Sequence, residues 1–210
     1  MYKNLVETIK SLLYNQNIKD ERKIVLQPLI DFIQGKINSN VEVNLNFICT
    51  HNSRRSHLSQ IWAQLAAVYY GFPDVYCYSG GTEETALFPK ITEILSDQGF
   101  NVFKIADTDN PVYAIKYSDN CLPIIGFSKK YDNPFNPISD FAAIMTCSQA
   151  DSGCPFIAGA EKRILITFED PKVSDNTRDQ TKVYASRSLE IAAELFYVFS
   201  MIKNKRCNQN

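Results

Sequence analysis

The sequence predicts an α/β protein built on an open parallel sheet flanked by helices, with a helical extension ahead of it. Three observations carry that reading. From residue 41 onward, short apolar runs alternate with longer stretches of helical periodicity, the pattern of repeated strand–helix units. Residues 1–40 show helical spacing alone. At 210 residues, 45% hydrophobic and 21% charged, the chain suits one domain with an appendage and is too apolar to be disordered. It divides into a helical N-terminal extension, 1–40, and an α/β domain, 41–210.

In the extension, Leu5, Ile9, Leu12 and Leu13 fall on one helical face, and Val25, Leu29, Ile30 and Ile33 repeat the pattern after the polar break 15–17. Pro28 lies inside the second pattern and predicts a kink or a helix start there. Gly35 and Asn38-Ser39-Asn40 end the stretch. The first strand is 43–48. Leu58, Ile61, Trp62, Leu65, Ala66 and Tyr69 then trace a helix closed by Gly71 and Pro73. A strand at 75–78 leads to Gly80-Gly81, and 89–98 reads as a helix with Gly99 just past its end. Further strands are expected at 112–117, 122–127, 141–146 and 164–168, with a loop at 132–137 that carries two prolines and two asparagines. A long helix, 183–202, precedes a polar tail. In such a sheet, ligands bind at the C-terminal ends of the strands.

Lys+Arg total 22 against Asp+Glu 23, so no net field favours nucleic acid or an anionic membrane. No run of 18 apolar residues is present to span a bilayer, and the first residues lack the pattern of a signal peptide. Six cysteines are too few for a disulfide scaffold, so the expectation is a cytoplasmic protein whose thiols serve chemistry or packing.

The residues leaving the first strand are Cys49-Thr50-His51-Asn52-Ser53-Arg54-Arg55-Ser56. Taken alone, Cys49 and Arg55 are equally consistent with a core thiol and a surface charge. Their placement between a strand end and a helix start favours a site. Unpaired backbone N–H groups and the positive end of a helix dipole converge there, making a nest for an anion and stabilising a thiolate. Arg55 is placed to grip two oxygens of a tetrahedral oxyanion. Ser56 can donate to the thiolate, and Asn52 tolerates left-handed backbone. Thr50, His51, Asn52, Ser53, Arg54 and Arg55 would line the bound anion.

Two more thiols, Cys147 and Cys154, follow the strand 141–146. Their six-residue spacing is too wide for a typical zinc pair and suits thiol–disulfide exchange with Cys49. Asp170-Pro171 comes next, an ordinary turn on its own, or a carboxylic acid placed to protonate a leaving oxygen. Glu169 is its rival.

The stretch 46–64, NFICTHNSRRSHLSQIWAQ, resembles the oxyanion loop and first helix of the low-molecular-weight protein tyrosine phosphatase superfamily, which also contains the thioredoxin-coupled arsenate reductases. The run 146–155, TCSQADSGCP, and the following Phe168-Glu169-Asp170-Pro171 resemble the redox and acid loops of those reductases, in the same order and spacing. The similarity extends from about residue 43 to residue 202 and leaves the first 40 residues outside. It implies that Cys49 attacks arsenate while Arg55 neutralises charge and Asp170 protonates the departing oxygen. Cys147 then attacks the Cys49 adduct, releasing arsenite, and Cys154 passes the disulfide on for thioredoxin to reduce. With water in place of Cys147 the same site would be a phosphatase.

The sequence departs from the family pattern at several points. His51 stands where glycine is usual, and Arg54 replaces another usual cysteine, adding positive charge near the anion. Lys172-Val173 follow Asp170-Pro171 where the phosphatases carry aromatic residues, so no ring clamp is expected. Gln60 stands where reductases with a potassium site tend to have a carboxylate, although Asn52 and Ser79 match that site's other ligands. No cofactor is expected, and a monovalent cation finds only part of its ligand set. The 132–137 segment looks inserted. Cys77 reads as core, Cys121 and Cys207 have no partner pattern, and His57 is expected to bond locally. Three functions remain open: a thioredoxin-coupled arsenate reductase as the lead, a phosphatase acting on phosphotyrosine or a small phosphoester, and a non-catalytic oxyanion or redox sensor.

Overall fold

A computed structural model describes residues 1–153 and 156–203. The extension is two helices, α1 (Lys3–Tyr14) and α2 (Asp20–Asn38). The α/β region then runs β1 (Val43–Cys49), α3 (Arg55–Tyr69), β2 (Val75–Gly81), α4 (Pro89–Asp97), β3 (Asn101–Ala106), β4 (Val112–Lys116), β5 (Ile124–Gly126), β6 (Phe141–Met145), α5 (Ser148–Gly153), β7 (Ala160–Leu165) and α6 (Gln180–Ser200). A 3-10 turn, Pro171–Ser174, precedes α6.

Four strands form the expected parallel sheet in the order β2-β1-β6-β7. The strands expected at 112–117 and 122–127 lie outside it. As β4 and β5 they make a separate antiparallel sheet with β3, which the sequence did not predict. The cause is connection length. Residues 107–111 and 117–123 are too short for the crossover a parallel pair needs, which takes a dozen residues or more. β3 escaped notice because Asn101 and Lys104 interrupt it and most of its residues are exposed.

β1 is buried almost throughout and alternates between two layers. Val43, Leu45 and Phe47 join the main core with Trp62 of α3 and Phe196 and Phe199 of α6, whereas Ile48 faces a smaller cluster with Phe141, Met145 and Ile157. Leu5, Ile9 and Leu12 of α1, and Leu26, Leu29, Ile30 and Ile33 of α2, are buried in the same main core. Gly99 explains part of that docking. Its φ is +100°, and a Cβ there would lie 2.3 Å from the backbone nitrogen of Leu5. α2 runs through Pro28 instead of starting or breaking there. The burial of its leucine–isoleucine face offsets an interior proline's cost of about 3 kcal/mol. Among the described residues no helix is long and apolar enough to cross a membrane.

Candidate oxyanion site

The loop between β1 and α3 is held from behind by its carbonyls. The Cys49 carbonyl accepts from Thr82 N–H (3.1 Å), Thr50 from Glu83 N–H (2.8 Å), and Ser53 from Phe88 N–H (3.1 Å). His51 accepts from the hydroxyls of Ser128 (2.9 Å) and Thr85 (3.0 Å). In a planar trans peptide the next N–H points opposite to the carbonyl. The N–H groups of Thr50, His51, Asn52 and Arg54 are therefore turned away from these anchors. Among the described residues none of them donates to a protein acceptor. The start of α3 has no side-chain cap either, so its own first N–H groups add to an anion nest. Two residues make this close fit possible. Asn52 has φ +44°, the left-handed backbone expected of it. Gly81, paired with Cys49 across the sheet, leaves no room for a side chain, because a Cβ would lie 2.3 Å from the Glu83 carbonyl oxygen and 2.8 Å from that of Thr50.

Cys49 is buried, with Sγ 3.1 Å from Ser56 Oγ. Ser56 Oγ accepts from Asn52 Nδ2 (2.9 Å), and Asn52 Oδ1 accepts from the N–H of Lys129 (2.9 Å). Because Asn52 already donates to the serine oxygen, the hydroxyl proton of Ser56 is free to point at Cys49, the arrangement a thiolate favours.

Arg55 donates from Nη1 to the Phe168 carbonyl (3.0 Å) and from Nη2 to Asp170 Oδ2 (2.6 Å). It thereby ties the acid loop to the oxyanion loop while keeping further N–H donors. The other Asp170 oxygen accepts the Lys172 N–H and caps the 3-10 turn. Glu169 turns outward to Arg187. The positive charge expected from Arg54 beside the anion is committed elsewhere. Its guanidinium pairs with Asp175 at 2.7 Å, donates to the Tyr184 hydroxyl and lies over the Phe88 ring. Burial raises the Tyr184 hydroxyl well above its usual range, and its bond to Asp175 adds to that. Burial also pushes Asp175 up, but the hydrogen bonds from Tyr184 and Gln180 and the Arg54 charge outweigh it and hold its carboxyl down. The His51 imidazole is exposed and lies 3.3 Å from Glu83.

Cys147 emerges beside Cys49. Ile48 pairs with Met145, the Thr146 N–H and hydroxyl both donate to the Ile48 carbonyl, and the two cysteines share the smaller apolar cluster. Cys147 Sγ lies 3.5 Å from Thr50 Oγ1 and accepts the Ala150 N–H. The residues after Cys147 form the helix α5, started by that contact and by the bond from Asp151 N–H to the Cys147 carbonyl. Cys154 and Cys207 lie outside the described residues. Cys77 is buried and its thiol is pushed up by desolvation, while Cys121 bonds the Ser118 carbonyl at 3.2 Å. His57 is fully buried, with Nδ1 3.3 Å from Ser79 Oγ. Desolvation, with the Lys129 charge second, pushes its pKa down to about 3.

Of the three residues at the positions of a monovalent-cation site, two already hold protein partners. Asn52 Oδ1 is occupied by the Lys129 N–H, Ser79 Oγ meets His57, and Gln60 supplies a neutral amide whose Oε1 has no partner among the described residues. Sequence reasoning missed Ser128 and Lys129, which read only as residues after a strand. Their role depends on which segment the fold lays beside Gly81. A groove of about 2140 Å³ opens from His51, Arg55, Cys147 and Asp170 toward α6 and the α1–α2 connection.

This architecture is the fold of the low-molecular-weight protein tyrosine phosphatases. A low-molecular-weight phosphotyrosine phosphatase from Vibrio cholerae O395 superposes with a TM-score of 0.51 at 13% identity, over 75% of this chain and 94% of that one. The YwlE arginine phosphatase from Geobacillus stearothermophilus gives 0.50 at 12% identity, over 80% and 97%. A YwlE arginine phosphatase with a phosphorylated active-site serine gives 0.51 at 13%, over 79% and 99%. No protein-family model and no curated protein matches the sequence.

Proposed function

We propose that this protein is an enzyme that uses Cys49 as a nucleophile toward a tetrahedral oxyanion, and that it reduces arsenate to arsenite with thioredoxin as reductant. In the first step the Cys49 thiolate forms an S–As bond. The loop N–H groups and Arg55 balance the anionic oxygens, and the departing oxygen leaves as water with a proton delivered through Asp170. In the second, the Cys147 thiolate attacks Cys49 Sγ. An S–S bond forms, the S–As electron pair stays on arsenic, and arsenite departs. Cys154 then attacks Cys147, and thioredoxin reduces the resulting disulfide. The observation that carries the reductase reading is the Cys147 thiol beside Thr50, just past the end of the strand next to that of Cys49.

The fold neighbours favour a second reading, a phosphatase in which water resolves a cysteinyl-phosphate. One experiment separates them: thioredoxin-coupled NADPH oxidation with and without arsenate, alongside hydrolysis of a chromogenic aryl phosphate. Cys147→Ser should abolish arsenate turnover and spare aryl phosphate hydrolysis. If the wild type shows no arsenate-dependent oxidation yet hydrolyses the aryl phosphate, the protein is a phosphatase.

A further inference from the structure

Lys129 is fully buried, yet among the described residues no carboxylate pairs with it. Among the described residues its Nζ meets only the Phe127 carbonyl, at 3.5 Å, and the rings of Phe127 and Phe135, with centroids 4.4 and 5.3 Å away. An ammonium group carries three donors, so this one is poorly satisfied where desolvation is expensive. Its position gives it a purpose. The 129–131 backbone is joined to the end of β2, with Gly81 N–H donating to the Lys129 carbonyl (2.8 Å) and Tyr131 N–H to the Gly81 carbonyl (2.9 Å). Gly81 in turn pairs with Cys49. Two strand spacings therefore put the Lys129 backbone about 10 Å from that of Cys49. The same residue's N–H starts the hydrogen-bond chain through Asn52 and Ser56 to the Cys49 sulfur.

We propose that Lys129 is a positioning residue of the oxyanion site, a built-in cation behind the loop that raises its affinity for anions in place of a bound metal ion. The proposal rests on the reading of residues 49–56 as an oxyanion site. Desolvation lowers the lysine to about 8, so it is charged at pH 7. The neighbouring His57, at about 3, is neutral there and does not substitute for it. The Lys129 charge is shielded from solvent, so salt screens it little.

The test compares binding of sulfate and perchlorate, both tetrahedral, at pH 7 by calorimetry in the wild type, Lys129→Met and Lys129→Arg. Taking the backbone separation of about 10 Å as the distance from charge to anion, an effective dielectric near 20 gives a change in affinity of roughly tenfold per ligand charge. Lys129→Met should therefore weaken perchlorate by about tenfold and sulfate by about a hundredfold, and Lys129→Arg should keep the wild-type ratio. Because an unpaired buried charge is removed, the urea midpoint of Lys129→Met should not fall. Equal loss for both anions, no loss for either, or a midpoint that falls with the affinity would assign Lys129 a structural role and overturn the proposal. So would a wild-type sulfate affinity that rises when choline chloride is replaced by potassium chloride at equal ionic strength. If Lys129→Met does not fold, Lys129→Arg still decides, since loss of the wild-type ratio with the charge retained refutes an electrostatic role. Wild-type protein that binds neither anion would instead overturn the reading of the loop itself.

Discussion

Asn52 connects backbone conformation to the nucleophile, and replacing it separates the two contributions. Asn52→Ala removes two buried hydrogen bonds of 2.9 Å, one from the Lys129 N–H and one to Ser56 Oγ. Each contributes about 1 kcal/mol. It also places a Cβ-bearing residue without a compensating polar group at φ +44°, which costs about 1–2 kcal/mol. The sum is about 3–4 kcal/mol. Asn52→Gly loses the same two bonds and escapes the strain, so it should be about 1 kcal/mol more stable than the alanine variant. Both variants release the Ser56 hydroxyl from its donor. The Ser56–Cys49 hydrogen bond remains but is no longer oriented by Asn52; its worth of about 1 kcal/mol sets an upper bound of roughly fivefold on the slowing of attack. Stability is read by urea unfolding through Trp62, and reactivity by the rate of Cys49 alkylation with iodoacetamide. Equal stability of the two variants would refute the strain argument. Wild-type alkylation in Asn52→Gly would refute the chain from Lys129 to Cys49.

Two other perturbations follow from the same structure. Arg22 of α2 holds Glu194 of α6 through Nε (2.6 Å) and Nη2 (2.8 Å) and donates to the Thr167 carbonyl, with the glutamate nearly buried. Arg22→Met leaves that carboxylate unpaired and should cost about 3 kcal/mol, much of it recovered in the double variant with Glu194→Leu. A loss below about 1 kcal/mol in urea unfolding would show that α2 docks without this pair. His57 sets an acid limit. Its folded pKa near 3 lies below the unfolded value of 6.5, so the unfolded chain binds the extra proton, and this contribution to stability is lost as pH falls from 6.5 toward 3. At pH 5 the loss is about 2 kcal/mol. The urea midpoint measured from pH 7 to pH 5 should fall less steeply in His57→Gln, and parallel curves for the two proteins would contradict the assignment.

The parts of this molecule legible in the sequence are those in which a local pattern coincides with a contact close along the chain. The strand–loop–helix from Val43 to Tyr69 is one such unit, because its apolar periods and the intervening Cys-Thr-His-Asn-Ser-Arg-Arg-Ser describe a single turn of chain. The loop's left-handed residue could be located for the same reason. Arg54 could not be read this way, since its charge is taken up by Asp175 and Tyr184, more than 100 residues away. Nor could Lys129, whose neighbours are set by which segment lies beside Gly81. The misplacement of β4 and β5 has a different origin. Their strand character was readable, and so were the short connections that forbid a parallel crossover, but strand–helix alternation elsewhere outweighed that arithmetic.

The two proposed chemistries share their first step and diverge on which atom is attacked next. Water resolving a phosphorylated cysteine must reach the central atom of the oxyanion, on the side of the groove lined by Arg55 and Asp170. A resolving thiol must instead reach the sulfur of Cys49, from the side of the apolar cluster that holds Cys147 with Ile48, Phe141 and Met145. Cys147 also lines the groove, so both approaches open from one site, and the nature of the central atom selects the outcome. Arsenic can accept the electron pair of the broken S–As bond and depart as arsenite. Phosphorus has no comparably accessible lower oxidation state, so a phosphorylated Cys49 can only be hydrolysed. Serine is close in size to cysteine, so Cys147→Ser should leave Arg55 and Asp170 in place to support aryl phosphate hydrolysis, and a parallel loss of that hydrolysis, with Cys49 alkylation unchanged, would show that Cys147 also serves the phosphatase reaction.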